Sequence, residues 1–183
     1  QTCALPISAA GYVSAAAGSA NPSVINVFAD GRAGVGTVTI SVNGAVVSTK
    51  TITFYGSVAS YTVDVNSAYL SGDLVGSGAA ALTVTALDAN GVGVPDAVVY
   101  ATSASAAKVA VTTSPVTTSN ARLTWGAADI DLTPVSGAAG DVVITVQNAQ
   151  TTANVTVSKT ATVHLVTAQV ADLKWGFEPL GGR

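Results

Sequence analysis

Residues 37–42 read Thr-Val-Thr-Ile-Ser-Val, and Asn43-Gly44 follows at once. Strict alternation at a period of two places Val38, Ile40 and Val42 on one face of an extended strand. Asn-Gly is the dipeptide that accepts positive φ at both central positions of a two-residue hairpin turn. A chain with this signature is committed to a β-hairpin, with residues 45–55 returning against 37–42. The same grammar continues with Tyr61, Val63 and Val65 aligned in the run 60–65. Further strand-like runs fall at 82–87, 97–101, 108–113, 121–125, 130–133, 141–148 and 151–158. Strands spaced at roughly 8 to 12 residues with turn residues between them are the pattern of a sandwich or barrel.

Composition agrees. Only 9% of the chain is charged, against about 25% in ordinary globular domains. Val and Thr fit a pleated, half-buried surface, whereas Glu178 is the single Glu and Met is absent. The fold class expected is therefore all-β. The net charge of −3 is spread over isolated acidic residues, and no basic patch is present to neutralise phosphates, so nucleic acid is not an expected partner. No run of about 18 apolar residues predicts a membrane-spanning helix. The Ala- and Gly-rich run 8–21 lacks the basic start and Leu-rich centre of a signal peptide.

Turn-rich and small-residue stretches divide the chain. Residues 71–81, rich in Gly, Ser and Ala, read as a linker. That places a partial β-domain at 8–70, a second unit at 82–160, and the start of a further strand or module at 161–183.

The second unit carries a recognisable signature. Residues 82–95, LTVTALDANGVGVP, followed by AVVYATS at 97–103, resemble bacterial immunoglobulin-like repeats, the modules of invasin- and intimin-like adhesins and of some S-layer and cell-wall proteins. The resemblance covers about residues 79–158. GTVTISVNGAVVSTKTITFYGS at 36–57 is more loosely similar to repeats of large actinobacterial surface proteins. The resemblance implies tandem immunoglobulin-like Greek-key β-sandwiches, the first incomplete because its early strands are missing. It also implies export to the cell surface or cell wall and no chemistry.

At the other end, residues 1–7, QTCALPI, resemble the translation of a widely used sequencing adapter. The expectation is a fragment from environmental sequencing that starts inside a module. Cys3, the only Cys, falls in this segment, so disulfides and thiolate metal sites are not expected in the remainder.

Enzymatic machinery is hard to assemble from these residues. His164 is the only His, and a Ser/His/Asp triad would require it as base. It alternates with Val163 and Leu165, which reads as a solvent-facing strand position. One His without a native Cys also defeats a zinc site. Asp129 and Asp131 flank Ile130 and share a strand face, an arrangement that can serve acid–base chemistry or a cation but lacks a pocket. The Gly residues of 34–36 and 91–93 have the spacing of turns rather than of a phosphate loop.

The metal candidate is a weak calcium site at Asp88, Asn90 and Asp96. Ca²⁺ takes roughly six to eight oxygen ligands, and the loop 88–96 supplies three such side chains. The competing reading is a turn capped by Asp88 and Asn90 and completed by Gly91. Tyr55, Tyr61, Tyr100, Trp125, Trp175 and Phe177 offer a sugar-stacking platform, although Tyr61, Tyr100 and Trp125 read more simply as core or seam residues. Asn154-Val155-Thr156 matches the N-glycosylation pattern. Lys50, Lys108 and Lys159 admit a Lys–Asn crosslink, but no Glu sits nearby to assist it.

Three functions remain open. The first is a non-catalytic structural or spacer module of a bacterial surface protein, S-layer-like or adhesin-like. The second is a binding module for carbohydrate or a host surface, and the third an accessory domain of a secreted hydrolase. Partners expected are neighbouring modules of the same protein and cell-wall or surface glycans. No cofactor is expected beyond the calcium candidate.

Overall fold

The computed structural model describes residues 27, 32–42, 44–74 and 76–167. The adapter-like segment 1–7, Trp175 and Phe177 lie outside the described residues. In chain order the strands are β1 (Gly34–Val42), β2 (Ala45–Phe54), β3 (Ser60–Val65), β4 (Leu82–Leu87), β5 (Val98–Ser103), β6 (Val109–Val111), β7 (Val116–Thr117), β8 (Ala127–Ile130), β9 (Leu132–Pro134), β10 (Gly140–Gln147) and β11 (Ser158–Leu165). The only helical element among the described residues is a 3₁₀ turn at Thr152–Asn154.

β1 and β2 form the expected hairpin, with Val42 opposite Ala45 and Gly34 opposite Phe54. Gly44 takes φ 82° in the turn. The two strands make a sheet of their own.

The strands from Ser60 to Leu165 build one sandwich. The first sheet has the order β3-β4-β8 and the second the order β11-β10-β5-β7; β6 pairs separately with β9. Alternation decides which residues enter the space between them. Leu82, Val84 and Ala86 of β4 face inward with Tyr61 and Ile130, and meet Val99, Ala101, Val142, Ile144, Val146, Val163 and Leu165 from the second sheet. The chain runs β3 to β4 in one sheet, crosses to β5, returns for β8 and crosses back to β10 and β11, which is immunoglobulin-like Greek-key connectivity. The all-β sandwich expected from the sequence is the architecture present.

The core is assembled from Val, Leu, Ile and Ala with one Tyr. Each fully buried Val, Leu or Ile stabilises by about 1.5–3 kcal/mol relative to an exposed one, so many small contributions replace a few aromatic ones.

The expected domain division does not match this layout. β3, assigned by sequence to the first unit, pairs along its whole length with β4, from Ser60 opposite Leu87 to Val65 opposite Leu82. Residues 71–81 are no loose linker. Ser71 and Ala81 are buried, Leu132 N–H donates to Gly78 C=O at 2.8 Å, and Asn66 N–H donates to Ala81 C=O at 2.9 Å. A Cβ on Gly78 would collide with the Leu132 backbone, so close packing excludes a larger residue at that position. The unit also runs past 160, because β11 pairs with β10 as far as Leu165 opposite Gly140. A linker and a packed strand-to-strand connection share one composition, and only the register separates them.

Two expected strands are absent. Residues 121–125 form turns, with Leu123 almost fully exposed. Residues 151–157 form a loop organised by Asn148, whose Oδ1 accepts from the N–H groups of Thr156 and Val157 at 3.0 and 3.1 Å. The chain resumes as β11 only at Ser158.

Candidate functional site

The loop after β4 holds the calcium candidates, and its geometry is set by one carboxylate. Asp88 is 3% exposed. Its Oδ1 accepts from the N–H groups of Asn90 and Val92 at 2.8 and 2.9 Å. Asp88 N–H donates to Val92 C=O at 2.9 Å, and Gly91 N–H donates to Asp88 C=O at 3.0 Å. Gly91, at φ 76°, completes the turn in a conformation that costs a residue with a Cβ. The Asp-x-Asn-Gly sequence is thus a self-capped turn that folds the chain back toward β4, where Gly93 bridges Leu87.

The second oxygen reaches further. Asp88 Oδ2 accepts from the Gly56 N–H at 2.9 Å, tying the turn to the segment leaving β2. Burial pushes the Asp88 carboxyl up, but the N–H groups of Gly56, Val92 and Asn90 outweigh it and hold the carboxyl below its ordinary value. Asp88 is thus an anion already satisfied by backbone donors. Asn90 and Asp96 are exposed, and Asp96 adopts φ 56° with the Asn120 amide donating to it at 3.5 Å. Among the described residues no three His, Cys, Asp or Glu side chains gather to hold a metal.

A second contact reinforces the same junction. The rings of Tyr55 and Trp125 meet edge to face, with centroids 6.0 Å apart and planes at 70°. Trp125 Nε1–H donates to Gly93 C=O at 2.8 Å, so the indole is anchored on the Asp88 loop. A Cβ on Gly93 would lie 2.7 Å from the Trp125 carbonyl oxygen. Of the aromatics expected at core or seam positions, Tyr61 is buried in the core, whereas Trp125 stays partly exposed at this junction.

His164, Asp129, Asp131 and Lys108 have structural partners. His164 faces solvent between the buried Val163 and Leu165, and its Nδ1 lies 2.6 Å from Asp141 Oδ1 on the neighbouring strand. Tyr69 lies beside it, ring centroids 6.2 Å apart. Asp129 Oδ1 accepts from the Thr83 hydroxyl at 2.8 Å, and Asp131 Oδ1 accepts from the Ala80 N–H at 2.7 Å. Asp129 thus fastens β8 to β4, and Asp131 braces the connection before β4. Lys108 Nζ donates to the Ala139 carbonyl at 3.1 Å, while Lys50 and Lys159 are exposed, as is Asn154.

Sequence reasoning missed Thr118, which is buried. Its hydroxyl donates to Val94 C=O at 2.7 Å and accepts from the Ala97 N–H at 2.9 Å. Nothing in a Thr-rich sequence marks this one among the others, because its partners lie 24 and 21 positions away.

No family model matches the chain, and no curated protein matches it. Among solved structures it is similar to two glycosyl hydrolase family 2 members from Bacteroides cellulosilyticus. The first is 14% identical with a TM-score of 0.41, over 74% of this chain and 18% of that one. The second is 11% identical with a TM-score of 0.38, over 72% and 18%. The chain therefore spans under a fifth of either hydrolase.

Proposed function

We propose that the chain is a non-catalytic spacer module of a bacterial cell-surface protein, S-layer-like or adhesin-like, acting outside the cell among neighbouring modules of its own chain. The observation that carries this reading is where the sandwich is entered and left. β3 begins with Ser60 beside Leu87, at the pole occupied by the Asp88 turn and Gly56. β11 ends with Leu165 beside Leu70, at the pole where Val65 and Leu82 lie. A module with its two connections at opposite ends adds length when repeated head to tail.

The junction supports the same role. A charge-assisted hydrogen bond and an aromatic contact both cross from the β2 side onto the sandwich, which stiffens the joint. The exit is tied as well, since Leu70 N–H donates to His164 C=O at 2.8 Å and Val166 N–H to Leu70 C=O at 2.9 Å. No helix among the described residues is long and apolar enough to cross a membrane.

Single-molecule extension through the two ends tests the reading. A load-bearing spacer unfolds in one step whose length gain matches the segment from Ser60 to Leu165. Gradual extension without a force peak overturns it. A parent reading frame carrying a hydrolase domain, with no further repeats, would replace it with an accessory module of a secreted enzyme.

A further inference from the structure

The solvent face of the second sheet is uncharged over most of its area, and it is ordered. On β5, β10 and β11 the inward residues are Val99 and Ala101, then Val142, Ile144 and Val146, then Val163 and Leu165. Their alternates point outward, and the register lines them up. Tyr100, Gln147 and Ser158 form one row across three strands, and Thr102, Thr145 and Thr160 form the next. Adjacent strands lie about 4.8 Å apart, so the second row is a regular ladder of hydroxyls. Charge returns at the far end of the face, with Asp141 opposite His164.

At the other end of this face the surface opens into a cleft of about 380 Å³ lined by Tyr100, Thr102, Ser114, Pro115, Gln147 and Gln150. None of these side chains carries charge, so an ionic ligand would lose hydration without gaining a partner. The lining instead offers a half-buried aromatic ring, two carboxamides and two hydroxyls. Each carboxamide presents a donor and an acceptor together, the complement of adjacent hydroxyl groups on a sugar. Gln147 Nε2–H donates to the Ala149 carbonyl at 2.8 Å, which holds that amide in place. The ring and Gln147 stand on adjacent strands, and rigid elements preorganise a site better than loops do.

We infer that this cleft and the hydroxyl ladder beside it form a binding face for a neutral polysaccharide. One sugar packs on the Tyr100 ring with its hydroxyls on Gln147 and Gln150. The chain of sugars then continues across Thr102, Thr145 and Thr160. A module with this face serves as more than a spacer, since it attaches its parent protein to an uncharged glycan.

Affinity electrophoresis of the full chain tests the inference, in gels containing a mixed-linkage β-glucan, a glucomannan or dextran, with polygalacturonate as the anionic comparison. At least one neutral polymer is expected to retard the protein and polygalacturonate is not. Tyr100→Ala should weaken the retardation roughly tenfold or more, as truncation of an aromatic anchor does. Thr102→Lys, on the exposed face, should weaken it comparably while leaving the melting temperature unchanged, which separates loss of binding from loss of fold. Tyr55→Ala, at the opposite junction, should bind as wild type does. Absence of retardation by all three neutral polymers overturns the inference, as does equal retardation by polygalacturonate or binding indifferent to Thr102→Lys. Self-association in sedimentation that Thr102→Lys abolishes, without glycan retardation, would make a second copy the occupant and also overturn it.

Discussion

The carboxylate of Asp88 accepts the backbone N–H of Gly56 from 32 positions upstream, at 2.9 Å, while its other oxygen closes its own turn. One buried side chain thereby shapes the loop after β4 and fastens the preceding hairpin to the sandwich.

Asp88→Ala should lower stability by about 2–4 kcal/mol, because it strips acceptors from three N–H groups around a buried charge. Asp88→Asn keeps one carbonyl oxygen but points an amide donor at one of those N–H groups, and should lose about half as much. Urea denaturation checks both, read as a lower midpoint at constant slope.

The same geometry makes stability depend on acid. The folded-state carboxyl of Asp88 is held below its ordinary value of 3.8, so the folded state resists protonation more than the unfolded chain does. Its contribution is complete above that ordinary value and is lost as pH falls through the lowered folded value. The stability gap between wild type and Asp88→Asn should therefore be constant near neutrality and narrow below about pH 4. A gap unchanged at pH 2.5 (about the lower end of the usual carboxylate range) would assign the loss to packing instead.

Calcium should leave the melting temperature unchanged. Both Asp88 oxygens already accept backbone donors, so an ion would have to displace them. A weak extracellular site, with a dissociation constant of about 10⁻⁴ to 10⁻³ M, would still raise stability measurably at about 10 mM Ca²⁺ by mass action. Thermal scans with Ca²⁺ and with chelator decide it, and a rise that disappears in Asp88→Ala would establish the site.

Gly78→Ala and Gly76→Ala should part company. The added Cβ at Gly78 meets the Leu132 backbone, whereas at Gly76 it meets open space and only the φ of 75° is unfavourable. The first should cost more than about 2 kcal/mol, as overpacking against a rigid backbone does, and the second about 1 kcal/mol. Equal, negligible costs in denaturation would return residues 71–81 to the status of a linker.

Tyr61→Phe should be neutral or stabilise by up to about 1 kcal/mol. Tyr61 lies in the core at 4% exposure, its hydroxyl has no hydrogen-bond partner among the described residues, and burial raises its pKa. Removing that oxygen deletes an unsatisfied polar atom and leaves the ring packing intact. A loss above about 1 kcal/mol in urea denaturation would mean that the hydroxyl is bonded.

Elements whose causes are local can be read from residue order. Alternation of Val and Ile with Thr and Ser made β1, β4 and β10 readable, Asn43-Gly44 marked the hairpin, and the Asp88-x-Asn90-Gly91 spacing marked a capped turn. The outward position of His164 also followed from its alternation with Val163 and Leu165. Which strands share a sheet, and with that where the module begins, depends on long-range pairing. β3 and residues 71–81 carry no local sign that they close the sandwich, because pairing to β4 and packing on Leu132 depend on register across the chain. The same holds for the partners of Asp88, Thr118 and His164, which lie 32, 24 and 23 positions away. A period of two says which way a side chain points; only the folded sheets say what stands opposite it.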